Sequence, residues 1–455
     1  MEQEVLFETD WLASTPVFYD EVHGNAGTTF QEVISGGPIY TDIHAEGLFN
    51  YLDFGYSVFG QTPLKEVRFL GPSCRLLKSE NQVLTIEQLN DPLDRYIDFR
   101  LSESDLIELI RERTQAWEAS LPADQEIVLP LSGGYDSRLL LWSLKDPSRV
   151  RAYTYGISKD QSRSMEVTRA AFLANHFGVR WKQIQLGEYH KYLDGWNTEF
   201  GLSTHAHGMY HFEFYEKIRE ELEGEHALLS GIIGDVWAGS VPPRLIERSD
   251  QLVELGYTHG LCADPSALRV FVDHKLREQF WQEFRAYSGD YRHQIITTLR
   301  LKIILLSYLL RVPRLFGFEP WSPFLDIEVA MGMLNLPLER RANREWQRDF
   351  FSKVGLDLES RGLTGTEQNS LDYNALKKIP VSPLNREALA RYIEPDYVDW
   401  VNRNVRTSPI SDLQLRIGDL PLMGRLMRKL GVAPSTIEAY SAYQCLLPLE
   451  KSLSR

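Results

Sequence analysis

The sequence predicts an α/β fold: a mainly parallel, doubly wound sheet with a largely helical C-terminal half and a small β-rich N-terminal region. Between about residues 120 and 260, short apolar runs alternate with helical patterns. Strands that alternate with helices are joined by right-handed crossovers and build a parallel sheet. After about residue 265 the patterns are mostly helical. Residues 1–100, by contrast, contain many glycine, proline and aromatic residues between short alternating runs.

The length of the chain favours more than one structural unit. A chain of 455 residues exceeds an average domain, and its apolar content of 43% is ample for a large core. We therefore expect a β-rich region over residues 1–100 and a second domain over residues 101–455. Within the second domain, the α/β core is expected at about residues 120–260 and the helical part at about residues 265–455.

The individual elements follow in chain order. In the first region, "KEVRFL" alternates as a strand does. The stretch "SESDLIELIRERTQAWEASL" has apolar residues at helical spacing, with Ser102 or Ser104 as its N-cap and Pro122 after its end. Buried strands are expected at "EIVLPL", "VRAYTYG", "VRWKQIQL" and "HALLSG", and helices at "RLLLWSLK" and "SMEVTRAAFLANHFG".

Charge and cysteine content limit the partners. The chain has 49 basic and 63 acidic residues, a net charge of −14, which disfavours binding to nucleic acid or to an anionic membrane surface. The cysteines, Cys74, Cys262 and Cys445, are far apart, so neither a zinc site nor a disulfide framework is indicated. The first residues lack a signal-peptide pattern, and the most apolar window, "IILLSYLL", is too short to span a bilayer. We expect a cytoplasmic protein.

The stretch "LPLSGGYDSRLLL", residues 129–141, places small polar residues between two apolar runs. Gly133 and Gly134 allow backbone amides to approach an anion closely, and the helix that follows points its positive end at the same place. Ser132 and Ser137 add hydroxyl donors, and the Asp136 carboxylate suits a magnesium ion that bridges phosphate oxygens. No lysine follows the glycines, so the loop is not of the Walker type. The other interpretation is a simple glycine turn between a strand and a helix.

Further stretches join this loop in one resemblance. The SGGxDS pattern is typical of the ATP pyrophosphatase, or PP-loop, group. "LLSGIIGDVWAGS" (residues 228–240) resembles the strand-and-glycine stretch of asparagine synthetases, with Asp235 in the place of their aspartate. "LLRVPRLFGFEPWSPFLD" (residues 309–326) resembles their LExRxPFLD stretch, and "EVTRAAFLANHFG" is similar to one of their helices. The matches follow the family's order, and the chain is identified as asparagine synthetase-like, with the adenine nucleotide alpha hydrolase-like fold.

This resemblance implies a ligase that uses ATP and Mg²⁺. Such enzymes transfer AMP to a carboxylate, release pyrophosphate and let ammonia or an amine attack the acyl-adenylate, because a carboxylate alone is a poor electrophile. Asp136 and Asp235 are implied as magnesium ligands and catalytic residues, although Asp235 is also interpretable as a turn residue. Lys377 is the implied catalytic lysine, with Lys378 as the alternative and a solvated surface lysine as the other interpretation. The implied ATP-binding residues are Leu131, Ser132, Gly133, Gly134, Asp136, Ser137, Tyr155, Gly156, Ser230 and Gly231.

Some positions depart from the family pattern. Asparagine synthetases carry acidic residues where this chain has Ile232 and Val236, and a basic residue where Trp321 and Ser322 precede the PFLD proline. The substrate pocket is therefore expected to differ, and aspartate is a doubtful substrate.

The N-terminal region resembles the end of a class II glutaminase domain. Glutamine-dependent members carry a catalytic cysteine directly after the initiator methionine, where this chain has Glu2. Residues 1–100 are therefore expected to be a remnant that cannot hydrolyse glutamine by the thiol route. Ammonia would come from solution or from a separate glutaminase, or the amine would belong to the substrate.

Several alternatives stay open. The carboxylate is expected on a small molecule, a sugar acid or a peptide, and a cyclase that closes such a substrate onto its own amine is an alternative. A tRNA-modifying enzyme and a catalytically silent nucleotide-binding or partner-regulating homologue are others. His205, His207 and His211 are interpretable as a metal site, as polar contacts of the active site or as structural residues. The arginines of residues 340–351 are expected to pair with carboxylates or to face an anionic substrate.

Overall fold

The computed structural model describes residues 3–35, 42–256, 262–364, 369–418 and 435–454. The first part of the chain forms two small antiparallel sheets, with the strand orders β1-β5-β6 and β3-β2-β4. Their strands are β1 (Gln3–Glu8), β2 (Phe18–Asp20), β3 (Asn25–Gly27), β4 (Val67–Phe69), β5 (Cys74–Ser79) and β6 (Leu84–Gln88). The helices of this part are α1 (Phe30–Ser35), α2 (Ala45–Phe54) and α3 (Leu93–Tyr96), and α4 (Glu103–Ser120) leads into the central sheet.

The central sheet confirms the predicted parallel α/β class. Its strands are β7 (Ile127–Pro130), β8 (Val150–Thr154), β9 (Arg180–Gln183), β10 (His226–Leu229) and β11 (Phe318–Trp321), in the order β11-β10-β7-β8-β9. All neighbouring pairs are parallel. The helices between these strands include α5 (Tyr135–Ser143), α6 (Met165–Phe177), α7 (Leu193–Phe200) and α8 (Tyr210–Arg219).

This strand order determines where a ligand binds. The chain places β8 and β9 on one side of β7, and β10 and β11 on the other side. In open α/β sheets, ligands bind beyond the carboxyl ends of the strands where the direction of winding changes. That position lies between β7 and β10, and the two glycine-rich stretches found in the sequence follow these two strands.

The edge strand β11 is the element of the sheet that the sequence did not predict. It lies in a part of the chain whose patterns are otherwise helical, and it contains Pro320. An edge strand tolerates proline because the missing N–H need not pair on the open side. The strands predicted at the other four positions are confirmed, and so is the N-cap of α4, where the Ser102 side chain accepts a hydrogen bond from the Asp105 N–H.

The helical part follows in the second half of the chain. Its helices in the described residues are α9 (Lys275–Phe284), α10 (Tyr291–Leu306), α11 (Tyr308–Leu315), α12 (Ile327–Leu334), α13 (Leu338–Arg341), α14 (Glu345–Lys353), α15 (Leu371–Lys378), α16 (Arg386–Leu389), α17 (Pro395–Asn404), α18 (Pro409–Gly418) and α19 (Ser435–Leu453). Of the described helices, none has both the length and the apolar character needed to cross a bilayer.

Both faces of the central sheet are covered. Ile127 and Leu129 of β7 pack into one apolar cluster, and Val128 between them packs into the other. Such burial on two faces explains why the strand is a continuous apolar run rather than an alternating one. The predicted strand over "EIVLPL" therefore has its physical basis in the two layers of helices.

The N-terminal region shares its core with the rest of the chain. Phe18 and Tyr51 belong to the same buried cluster as residues of α19, and the Tyr51 hydroxyl donates to the Cys445 carbonyl oxygen at 3.2 Å. Trp11 stacks on Trp237 with 5.8 Å between ring centroids, and its indole N–H donates to the Leu325 carbonyl oxygen at 3.0 Å. A boundary between independent domains near residue 100 stays a prediction.

Candidate active site

A cavity of about 1050 Å³ opens beyond the carboxyl ends of β7, β8 and β10. It is lined by most of the residues that the resemblance implies for ATP and metal binding: Leu131, Ser132, Gly134, Asp136, Ser137, Tyr155, Ser230, Gly231 and Asp235. The two glycine-rich stretches, about 100 residues apart in the sequence, thus meet at one place. Gly133, Gly156 and Lys377 do not line this cavity.

The loop after β7 presents the start of α5 to the cavity. Gly134 is the N-cap of this helix, and no side chain caps it. The first N–H groups of a helix have no partner within the helix, and together with the helix dipole they favour an anion. Gly133 has a φ of 69°, and a Cβ there would lie 2.3 Å from the Cβ of Arg169. Glycine is therefore required at this position by both backbone conformation and packing.

Arg138 holds the loop between β7 and α5 in place. Its side chain is fully buried, and its guanidinium donates to the carbonyl oxygens of Gly133 and Leu356, each at 3.0 Å. The same guanidinium forms an ion pair with Glu359 at 3.1 Å. A buried charge is tolerated when it is paired and hydrogen-bonded, so the contacts of its two terminal nitrogens let this arginine fix the loop, while its Nε is buried without a hydrogen-bond partner. Nothing in the sequence indicates this role, because Arg138 is there one charged residue at the start of an apolar run.

Asp235 lies close enough to Asp136 to influence the pKa of the Asp136 carboxyl. Burial first, and repulsion from Asp235 second, raise the pKa of Asp136 to about 7, against attraction from Arg344. The intervening Gly234 permits this approach, because a Cβ there would lie 3.1 Å from the Asp136 carboxyl carbon and 2.7 Å from the Phe324 ring. The preceding Ile233 has a φ of 56°, a conformation that is strained for a β-branched residue.

The acidic pair fits a magnesium ion. Asp136 Oδ1 is buried and has no hydrogen-bond partner, with the nearest guanidinium nitrogen, of Arg344, at 3.8 Å. Asp235 accepts a hydrogen bond from the Ser240 hydroxyl at 2.9 Å, which orients its carboxylate. Carboxylate oxygens are the ligands that Mg²⁺ prefers, and it commonly completes its shell with phosphate oxygens and water. No group of three or more His, Cys, Asp or Glu residues suited to a metal exists in the described part of the chain.

Basic residues line the same cavity as the acidic pair. Arg344, 24% exposed at its side chain, and Arg169 line the same cavity, which suits the negative charge of a triphosphate. Lys302 of α10 lines it as well. Burial lowers the pKa of Lys302, and the attraction of Asp235 opposes this shift. Arg344 is one of the arginines expected from the sequence to pair with carboxylates or to face an anionic substrate, whereas no sequence pattern indicates Lys302.

The PFLD stretch supports the Asp235 segment from outside the cavity. Phe324 is fully buried against Gly234, and its carbonyl oxygen accepts from the Trp237 indole N–H at 3.0 Å. Asp326 caps α12 by accepting from the N–H groups of Glu328 and Val329, at 2.9 and 3.2 Å. These contacts give the stretch a structural role.

Two of the positions that depart from the family pattern, Ile232 and Val236, line the cavity. A third, Trp321, instead stacks on Trp117 of α4, with 5.0 Å between ring centroids. The expectation of an altered substrate pocket therefore rests on Ile232 and Val236, the two of these three positions that line the cavity.

The three histidines are buried or partly buried next to the cavity. His211 of α8 lines it, and burial, with repulsion from His207 second, lowers the pKa of His211 to about 3. His205 is fully buried, and its Nδ1 accepts from the His207 N–H at 3.1 Å. Burial also lowers the pKa of His205 well below its ordinary value, so both rings are neutral at pH 7. Of the three interpretations, the geometry favours structural residues, with His211 also available for a polar contact.

Lys377 and Lys378 lie on the surface of α15. The Lys377 ammonium pairs with Asp412 at 2.8 Å and that of Lys378 with Glu188 at 2.8 Å. Their side chains are 56% and 59% exposed. The structure does not bring either lysine to the cavity, and a catalytic role for Lys377 stays a prediction.

The fold and the cavity define a class, a parallel α/β protein in which a glycine-rich loop and an acidic pair meet at the ligand position of the sheet. A model of the asparagine synthase family matches residues 110–355, more than half of the chain. The chain belongs to this family. Its membership supports an ATP-dependent amide-forming ligase as the general class of activity.

Comparison with curated protein sequences gave no match. Among solved structures, the chain is similar to an NH3-dependent NAD synthetase from Campylobacter jejuni, solved in complex with the nitrate ion. The identity is 12%, the similarity covers 46% of this chain and 96% of that chain, and the TM-score is 0.25. We draw no functional argument from a similarity of this size.

Proposed function

We propose that the protein is an ATP-dependent ligase that adenylates a carboxylate, releases pyrophosphate and forms an amide with ammonia or an amine. The observation that carries this proposal is the single cavity that joins the uncapped start of α5 to the pair Asp136 and Asp235. Transfer of AMP to an acid requires that the β- and γ-phosphates are bound and that the negative charge of the departing pyrophosphate is neutralised. The cavity contains groups for both tasks.

Each task has its own residues. The N-terminal turn of α5, with Ser132 and Ser137, binds the phosphate tail, and Arg344 adds positive charge beside it. Asp136 and Asp235 would hold Mg²⁺, which supplies charge neutralisation to the phosphates when bound. Tyr155 and Ser230, at the ends of their strands, would line the adenosine.

The N-terminal region supplies no glutaminase nucleophile in this proposal. Its cysteine, Cys74, is 5% exposed, and burial raises the pKa of the thiol. A thiol must be exposed and ionised to act as a nucleophile. Ammonia therefore comes from solution or from a separate protein, or the substrate carries the amine.

The test is to detect both leaving groups of adenylation. Purified protein, ATP, Mg²⁺ and ammonium are incubated with a panel of monocarboxylic, sugar and amino acids, and pyrophosphate and AMP are measured together. We expect equal amounts of AMP and pyrophosphate with at least one acid. Formation of ADP and phosphate instead would contradict adenylation.

A matched pair of variants links the activity to the site. Asp235→Ala removes one predicted metal ligand and is expected to lower pyrophosphate release at least 100-fold, whereas Asp124→Ala changes an exposed aspartate outside the cavity and is expected to have no effect. Equal turnover in both variants would contradict the assigned site. Tight ATP binding without pyrophosphate release from any acid would favour the silent homologue.

A further inference from the structure

The cavity continues past Asp235 along one face of α10. Thr298, Lys302 and Leu306 are spaced four residues apart on this helix, so they lie on the same face, and all three line the cavity. Thr298 is 4% exposed. The ammonium of Lys302 is close enough to Asp235 for their charges to interact. A cation therefore stands beside Asp235, at the end of the cavity that α10 lines.

The wall around this cation is apolar. Ile232, Val236, Val241 and Leu299 also line the cavity, together with Leu309 at the start of the next helix. These side chains can pack against the hydrocarbon part of a substrate. The carboxylate of that substrate would then lie at the polar groups near Asp235.

The other two acidic residues of the lining do not belong to the α10 wall. Glu166 lies in the first turn of α6 and accepts a hydrogen bond from the Ser164 hydroxyl, and Glu359 pairs with buried Arg138 at 3.1 Å. No acidic residue other than Asp136, Asp235 and these two lines the described cavity. A substrate with its own ammonium group would thus find no spare carboxylate on this wall, and it would meet Lys302 as a like charge.

We infer that this end of the cavity, formed by Ile232, Val236, Thr298, Lys302 and Leu306, binds a monocarboxylic acid with an apolar body. Lys302 binds the carboxylate and presents it beside the phosphate site, and the apolar wall holds the hydrocarbon. This inference rests on the proposed function, and it narrows the substrate class within it. An ammonium–carboxylate bond that is shielded from water is short and strong, which favours placing the acid through this contact.

The test measures binding, so that it does not depend on finding the natural acid. The protein is saturated with Mg²⁺ and an ATP analogue that has a methylene group between the α- and β-phosphorus atoms. Acetate, butyrate, hexanoate, octanoate and aspartate are then titrated by calorimetry. Affinity is expected to rise from acetate to hexanoate by about fourfold for each added methylene, the equivalent of ~0.8 kcal/mol. Aspartate is expected to bind at least tenfold more weakly than butyrate.

Variants assign the contacts. Lys302→Met is expected to weaken hexanoate binding at least 20-fold, and Lys302→Arg is expected to keep part of the wild-type affinity. The control Lys353→Met changes an exposed lysine outside the cavity and is expected to leave the affinity for hexanoate unchanged. Leu306→Ala is expected to weaken hexanoate more than acetate, and it tests the apolar wall even if the Lys302 variants do not fold. Aspartate that binds more tightly than hexanoate, or hexanoate binding that Lys302→Met leaves unchanged, would overturn the inference.

The experiment distinguishes failure of the proposed function from failure of the inferred substrate class. Binding of the ATP analogue is measured first, without any acid. If the analogue does not bind in the presence of Mg²⁺, the proposed function fails. If it binds and the acids show no dependence on chain length, only the inference about the substrate class fails.

Discussion

Replacing Asp136 by asparagine should stabilise the metal-free protein while it removes the metal site. The pKa of Asp136 is raised from 3.8 to about 7, chiefly by burial and then by Asp235. A group whose pKa is higher in the folded than in the unfolded state favours folding most when it is protonated in both states. For Asp136 this is the case below pH 3.8. This contribution is lost as the pH rises, and above about pH 7 the folded protein bears the full cost of an ionised, buried carboxylate.

The magnitude follows from the shift. A rise of about three pKa units corresponds to about 4 kcal/mol, which is an upper limit for the cost that Asp136→Asn removes at pH 8. At pH 5 the folded protein keeps Asp136 protonated, and the benefit of the variant should fall below ~2 kcal/mol. An asparagine amide also has N–H donors for the neighbouring Asp235.

The assay is urea denaturation in EDTA at pH 8 and pH 5, with Asp124→Asn as the exposed control. We expect Asp136→Asn to have the higher unfolding free energy at pH 8 and a smaller advantage at pH 5. With Mg²⁺ and the ATP analogue present, the advantage of the variant at pH 8 should shrink, because a ligand at 100 times its Kd stabilises the wild type by ~2.7 kcal/mol. An Asp136→Asn variant that is less stable than the wild type at pH 8 would refute the account of a destabilising acidic pair.

Three further predictions concern the loop and its neighbours. Gly133→Ala should lower the unfolding free energy by ~2–4 kcal/mol and weaken nucleotide binding at least tenfold. The control Gly178→Ala has a similar φ of 66° but open space at its Cβ, so it should cost only ~1 kcal/mol and leave binding unchanged. Equal effects of the two variants in thermal shift and calorimetry would show that packing at Gly133 is irrelevant. Arg138→Met should cost ~2–4 kcal/mol, because it leaves the buried carbonyl oxygens of Gly133 and Leu356 without their donor, and no change in the urea midpoint would contradict the structural role of Arg138. Lys377→Met should keep pyrophosphate release within about twofold, because its ammonium pairs with Asp412 on the surface, and a 100-fold loss would restore Lys377 as a catalytic residue.

The parts of the fold that the sequence predicted are those with strong local patterns. The helix of residues 103–120 has its apolar spacing and its serine cap, and β7 and β10 are short apolar runs that end in glycine-rich turns. The meeting of Asp136 with Asp235 was also predictable, because parallel strands end at the same edge of a sheet. Local pattern and topology were therefore sufficient to bring the glycine-rich loop and the two aspartates to one cavity.

The contacts that the sequence did not predict depend on long-range packing. Arg138 meets Glu359, which is 221 positions away, and nothing near either residue indicates the pair. Lys302 lies within an apolar helix, where a single lysine is usually read as a solvated side chain. The same limitation applies to Lys377, whose predicted role came from a resemblance, while its position depends on how the C-terminal helices pack.

The acidic pair explains why so many large apolar residues lie behind it. Holding two carboxylates together in a buried place is unfavourable without a cation, so other contacts must keep Asp235 near Asp136. Gly234 packs on fully buried Phe324, Trp237 donates to the Phe324 carbonyl oxygen, and Trp11 stacks on Trp237. Full burial of one such ring is worth about 2–3 kcal/mol, so two of them offset the cost of up to about 4 kcal/mol of an ionised Asp136. The N-terminal region thus contributes to the cavity through Trp11, whose stacking on Trp237 holds the Asp235 segment in place, and this contact does not require a glutaminase.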